Sequence, residues 1–296
     1  YSIPGTSTLF FVPSSRTLDL SNVFAQDTLA LTSQLHLILG LKLEDDPFSH
    51  WTALPNVRLS WTPSDSTMVW AAVSRAIRAP TPFDVDVREA AAPGVDPIVF
   101  GNPNFQPEKL TAYEAGVRME PTSKVSFSVS AYYDRYDDLR TVDLTNGAMP
   151  ITWGNGMKGH TEGVEAWGNL QATAWWRLSA GLNLLGERFS FKPGTSAIQA
   201  LGTAQQGDDP RRQAQLRSFM ELGPRVSWDA DLRYVSALPN PHVPSYVELN
   251  TRVAWSVTDR LQLSLDGLNL LHARHQEYPG APYVPRSVLA ELRWGF

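Results

Sequence analysis

His272, His275 and Glu277 place two imidazoles three positions apart with a carboxylate close behind, the one metal-like cluster in the sequence. Imidazole with carboxylate suits zinc, copper or iron. The cluster falls in a polar stretch between alternating segments, however, where a spacing of three need not converge on one ion. A solvated loop is the competing reading, and no resident metal or other cofactor is expected. Arg75, Arg78 and Arg88 lie near Asp84, Asp86 and Glu89. Only five of the 25 basic residues are lysine, so the basic groups are mostly guanidinium forks suited to carboxylates. Arg78 and Arg88 read either as contacts for an anionic ligand or as partners of the nearby acids. Ser130 and Asp134 share a strand face, but no histidine on that face lies near them in sequence to complete a triad. No G-x-S-x-G, H-E-x-x-H or phosphate-cradling glycine loop is present, so no catalytic residue and no enzyme activity is expected.

The elements that must position these groups are strands. The 296-residue chain carries 25 Lys+Arg against 30 Asp+Glu, and its net charge of −5 argues against nucleic acid as a partner. There is no cysteine, which excludes disulfides and thiolate sites. No apolar run reaches the roughly 18–20 residues of a membrane-spanning helix, which leaves strands as the only way across a membrane. Alternation with period two dominates. Leu35, Leu37, Leu39, Leu41 and Leu43 fall on one face of their segment, and Val125, Phe127, Val129, Ala131 and Tyr133 do so in theirs. Strands are expected near 22–31, 34–44, 55–62, 66–76, 109–120, 124–137, 159–172, 175–189, 211–222, 225–236, 245–256, 260–271 and 284–296, with a weaker one at 7–12. Two- and three-residue turns alternate with long polar loops at 45–54, 77–108, 138–158, 190–210, 237–244 and 272–283.

That rhythm predicts an all-β fold, an antiparallel transmembrane β-barrel meander of 13–14 strands with its tight turns at one end. Trp61, Tyr133, Trp176, Trp228, Tyr234, Trp255 and Trp294 fall on the apolar face near strand ends, as interfacial girdles do. Arg118, Glu165, Asp231, Arg233, Glu248, Arg252, Glu291 and Arg293 fall on the opposite face and are expected to point to the lumen or to a polar plug. A soluble sandwich would bury its apolar face against a second sheet instead. No linker or second domain is visible, so residues 1–296 read as one barrel domain.

Several segments resemble the carboxy-terminal barrel of TonB-dependent outer-membrane receptors. The run Val69–Pro80 is similar to that family's "SRGFRAP" strand end. Gly101-Asn-Pro-Asn-Phe-Gln-Pro-Glu108 followed by Tyr113-Glu-Ala-Gly116 resembles "GNPxLxPE…YExG", and Tyr132–Leu139 resembles "FYxxYxDL". Gly159–Glu165, Leu268–Leu271 and the terminal Phe296 fit later family elements more loosely. The resemblance implies the last 14 strands of a 22-strand barrel, with the plug domain and the TonB-binding box absent from this chain. It implies an outer-membrane receptor for TonB-dependent uptake of a metal chelate, most often a ferric siderophore. TonB, a plug and outer-membrane lipid are the implied partners. Loop aromatics commonly touch ligand in this family, which adds Trp153 and Tyr278 to Arg78 and Arg88 as substrate-binding candidates; Tyr283 reads equally as a membrane anchor. The alternative is a complete 14-strand passive channel for small or apolar solutes.

Overall fold

A computed structural model of the chain describes residues 8–145, 147–199 and 208–295. Phe296, named above for its place in the family ending, lies outside them. The strands are β1 (Leu9–Phe11), β2 (Ser21–Ala30), β3 (Leu35–Asp45), β4 (Thr52–Ser64), β5 (Thr67–Arg78), β6 (Val87–Ala90) and β7 (Pro97–Phe100). There follow β8 (Glu108–Thr122), β9 (Val125–Thr145), β10 (Ala148–Thr173), β11 (Trp176–Phe191), β12 (Ala197–Ile198), β13 (Arg212–Gly223) and β14 (Val226–Val235). The last are β15 (Leu238–Pro239), β16 (His242–Val243), β17 (Tyr246–Ser256), β18 (Leu261–Leu268), β19 (Arg274–His275), β20 (Val284–Pro285) and β21 (Ser287–Trp294). One short helix, α1 (Pro82–Val85), interrupts them.

Each long strand pairs antiparallel with the next long one, β2 through β5, then β8 to β11, β13, β14, β17, β18 and β21. The register is what keeps two faces chemically distinct across the wall. Leu39 lies opposite Val57, Val57 opposite Val73, and Val73 opposite Tyr113. Farther along, Leu216 lies opposite Leu232 and Leu232 opposite Leu249. These apolar side chains are exposed, with Leu39, Val57, Val73, Leu216 and Leu232 all open on the surface. A strip of this kind belongs against lipid rather than against a second sheet.

Both ends of the strip are marked. Trp228 and Tyr234 point outward from β14, and Phe127 and Tyr133 from β9, each pair six residues apart. Six residues span about 20 Å along a strand, in keeping with a tilted crossing of a thin hydrocarbon layer. Beyond Tyr133 the same face turns polar: Arg135 lies opposite Thr111 and His160, and Asp137 opposite Lys109. The wall therefore continues past the membrane as β8 to β11.

Two expectations need correction. The segment 138–158 is not a loop: β9 and β10 run on as a ladder to Thr145 and Ala148. The extension has partners on its flanks, with β7 parallel to Ile151–Thr152 and β12 antiparallel to Val142–Asp143. Side-chain polarity alone points to a loop, but these additional backbone ladders hold the segment as sheet. The stretch 77–108 is likewise ordered around α1, β6 and β7, with β1 pairing to β6. Here Val85, Val87, Phe105, Val142 and Trp153 form a hydrophobic core, joined by Leu9, Phe11, Val99 and Ile151. The buried core thus caps the loop end, while the wall itself leaves its apolar side chains exposed.

A complete fourteen-strand barrel requires its first and last long strands to pair. Among the described residues β2 hydrogen-bonds only to β3, and β21 only to β18. All ten residues of β2 are exposed. Such edges are templates for aggregation. Residues 1–296 refolded alone into detergent are therefore expected to aggregate; a monodisperse, heat-modifiable species on size exclusion and gels would contradict this.

Candidate functional site

The loop end carries three charged clusters, all built from residues distant in sequence. In the first, Thr81 caps α1: its hydroxyl accepts from the Asp84 N–H, and the Asp84 carboxylate accepts in return from the Thr81 N–H at 2.9 Å. Pro82 fits the first helical turn because its missing N–H needs no partner there. Asp84 is fully buried and also takes Arg78 Nη1 at 2.9 Å and Arg140 Nη1 at 3.2 Å. Arg78 in turn grips Glu108 with Nε at 2.7 Å and Nη2 at 3.0 Å. Burial raises the Asp84 carboxyl, but the hydrogen bonds from Arg78 and Thr81 outweigh it and hold the group below the usual carboxylate range. The Glu108 contact pushes the Arg78 guanidinium higher still, against the opposing effect of burial.

The Gly101–Glu108 signature is the brace of this cluster. Gly101 donates to Val87 O at 2.7 Å, so close to the α1 turn that a Cβ would stand 2.4 Å from the Val85 carbonyl. Asn102 reaches Trp153 O at 2.8 Å, and Gln106 exchanges backbone bonds with the Asn155 amide.

In the second cluster Lys109 reaches Asp138 at 2.6 Å, and Lys192 bonds both Asp137 and Asp138. Asp138 sits at positive φ, where β9 slips register against β10. All four groups lie beyond the apolar band. The Lys192 hydrogen bond holds Asp137 below the ordinary carboxylate range. Burial pushes Asp138 the other way, but Lys109 and Lys192 win. Lys192 is raised, its two carboxylate bonds outweighing burial. Depressed carboxylates stabilise above their unfolded values near 4 and lose that contribution as pH falls through the lower folded values. A raised lysine stabilises below about 10.4 and loses it as pH climbs through the higher folded value. Amide exchange around Gly156–Lys192, corrected for intrinsic rates, should stay slow between about pH 4 and pH 10 and accelerate outside that window. Unchanged protection at pH 2 would remove the clamp.

The third cluster forms where the segment after β18 folds onto the polar face. Asn269 is fully buried at positive φ; its N–H donates to Asn250 Oδ1 at 2.8 Å and its amide to Val284 O at 2.9 Å. That anchor carries the β19–β20 hairpin inward and brings His275 and Glu277 against Glu248. Arg233 bonds Glu248 at 2.7 Å and also Glu277.

The expected polar-face residues do share one face in register. Arg233 lies opposite Glu248, Asp231 opposite Arg217 and Asn250, and Arg252 opposite Asp229 and Asp266. Glu165 lies opposite Ser130 and Asn183, Arg118 opposite Met68 and Ser128, Glu291 opposite Ser264, and Arg293 opposite Gln262.

The substrate-binding candidates divide. Trp153 is not an exposed loop aromatic but 7% exposed, with Phe83 5.4 Å away and the Arg140 guanidinium over its ring. Strand extension is the cause, since it turns the indole into the cap. Arg78 has its fork committed to Asp84 and Glu108, which leaves it a clamp. Arg88 lies over the Phe100 ring at 4.8 Å and bonds only Val87 O, with no acidic partner among the described residues. Tyr278 is exposed, and Tyr283 is exposed with Arg274 over its ring. The metal-like trio is regrouped: His275 and Glu277 converge, but Glu248 replaces His272. The sequence reading missed Asp84 as the hub, although Thr81-Pro82-x-Asp84 is a legible capping signal. It could not have found Arg140, whose partner is 56 positions away.

The wall and its capped end match known architectures. The siderophore receptor PirA from Acinetobacter baumannii superposes with a TM-score of 0.71 at 15% identity, over 94% of this chain and 46% of that one. A mutant of the ferric enterobactin receptor PfeA from Pseudomonas aeruginosa gives 0.73 at 15%, over 96% and 46%. The copper transporter OprC gives 0.67 at 17%, over 94% and 48%. The chain thus spans about half the length of these structures. No curated protein matches the sequence. The family described as TonB dependent receptor-like, beta-barrel matches residues 1–270. With a lipid-type outer face, a charged inner face and that match over most of its length, the chain belongs to the TonB-dependent receptor β-barrel family.

Proposed function

We propose that this chain is the carboxy-terminal wall of an outer-membrane receptor that takes up a metal chelate, a ferric siderophore in the first instance, with energy delivered through TonB. Family membership carries the reading, and the lipid-type band with its aromatic borders supports the outer membrane as its location. A plug inside the full-length protein would meet the polar face at Arg118, Glu165, Asp231, Arg233, Glu248, Arg252, Glu291 and Arg293. Arg88, half-buried, and Tyr278, exposed, are the ligand contacts this reading takes, because neither pairs with an acid among the described residues. A guanidinium supported on an aromatic ring suits an anionic chelate, and an exposed phenol ring suits its flat groups.

The full-length receptor should bind ferric enterobactin or a related ferric siderophore and import radio-iron only in cells with functional TonB. Arg88→Ala should weaken binding about tenfold, the value of one charge-assisted contact. Saturable import in cells lacking TonB would refute the receptor reading in favour of a passive channel. Import of copper ions with no siderophore binding would leave the TonB mechanism and change the cargo.

A further inference from the structure

His275 is a buried imidazole whose nearest acidic group stands at the edge of hydrogen-bond reach. Its side chain is 6% exposed, yet neither ring nitrogen has a hydrogen-bond partner among the described residues. The ring is clamped flat against Tyr246, 4.2 Å between centroids at 22°. Its Nε2 is aimed at Glu277 Oε1 from 3.5 Å, beyond good hydrogen-bond length. Glu248, whose side chain is 12% exposed, completes the group: one donor atom from each of the three lies within 4.8 Å of the others. Among the described residues the two carboxylates share one guanidinium, Arg233, which leaves a negative charge in excess beside the imidazole nitrogen.

We propose that Glu248, His275 and Glu277 bind a free divalent first-row transition cation of the zinc and copper class, in exchange for Arg233. One imidazole nitrogen with two carboxylate oxygens is a borderline donor set, which selects Zn2+ or Cu2+ over Mg2+ or Ca2+. Ligand atoms about 2.1 Å from a tetrahedral ion stand about 3.4 Å apart, so the three must close slightly. The two glutamates reach from β17 and from the segment after β19, and their rotatable stems supply that movement. Arg233 currently stands in for the cation's charge. Tyr246 positions the imidazole and donates its hydroxyl to Glu277 at 3.3 Å. The site is separate from Arg88, and it takes a bare ion rather than a chelate, so it goes beyond the receptor reading and does not depend on it. It would tie the β19–β20 hairpin to the wall when occupied.

The test uses the full-length protein, stripped with chelator and checked for folding by gel heat-modifiability. Titration with Zn2+ should reveal one site lost in His275→Gln and retained in His272→Gln. The Cu2+ form should show nitrogen coupling from one imidazole in its electron paramagnetic resonance spectrum. Glu277→Gln, which keeps the imidazole, should weaken Zn2+ by at least about tenfold. Arg233→Gln should tighten it by about tenfold or more, because the competing positive charge is gone. A wild-type copper spectrum without nitrogen coupling, an unchanged site in folded His275→Gln, or weaker binding in Arg233→Gln would overturn the proposal. The last result would make the trio an ion-pair cluster centred on Arg233.

Discussion

Asp84→Ala should lower the stability of the outer cap by about 2–3 kcal/mol, from the lost helix cap and the charge-assisted bonds of one buried carboxylate whose arginine partners are themselves more than a third exposed. Asp84 is fully buried and accepts from Arg78, Arg140 and both donors of Thr81. Removing it takes the acidic partner from Arg140, leaves Arg78 to Glu108 alone and uncaps α1 in one step. Asp84→Asn keeps the shape and loses the charge, so it should fall between wild type and alanine. In urea the cap should come apart before the wall, read as early protease cutting between β5 and β8 while the heat-modifiable band persists. Loss of both together at wild-type urea would show that the cap is not held through Asp84.

Leu232→Arg should destabilise the membrane-inserted full-length protein by about 2–4 kcal/mol, the cost of an arginine on the lipid face near the bilayer midplane. Leu232 faces outward between Trp228 and Tyr234, flanked by Leu216 and Leu249 on the adjacent strands. Thr111→Arg is the matched control. Thr111 lies on the same face but beyond Tyr113, opposite Arg75 and Arg135, where depth costs an arginine about 0–1 kcal/mol and the like charges opposite add roughly a few tenths. Urea unfolding from lipid vesicles compares them directly. Equal effects at both positions would mean that the apolar band does not face hydrocarbon.

Much of this was legible in the chain, because strand alternation is a local property that two neighbouring residues already express. Leu35 to Leu43, Val125 to Tyr133 and the girdle residues Trp61, Trp228 and Trp255 declare their faces without any tertiary information. The tight turns and the Gly101–Glu108 signature are equally local. Turn chemistry and alternation therefore determined an antiparallel wall with one apolar face and the order of its strands, while motifs such as Gly101–Glu108 carried the family resemblance.

Tertiary structure decided everything that needed two distant segments to meet. Polar residues at 138–158 say only that a stretch tolerates water; pairing with β7 and β12 made it sheet and buried Trp153. Arg78 could have faced a ligand until Asp84 and Glu108 arrived from separate turns to take its fork. Spacing alone left His272, His275 and Glu277 open between a metal cluster and a solvated loop. Once Asn269 folds the chain inward, Glu248 from the wall joins His275 and Glu277. Hydrogen-bonding and charge are satisfied by whichever group comes within about 3 Å, and sequence distance places no limit on that.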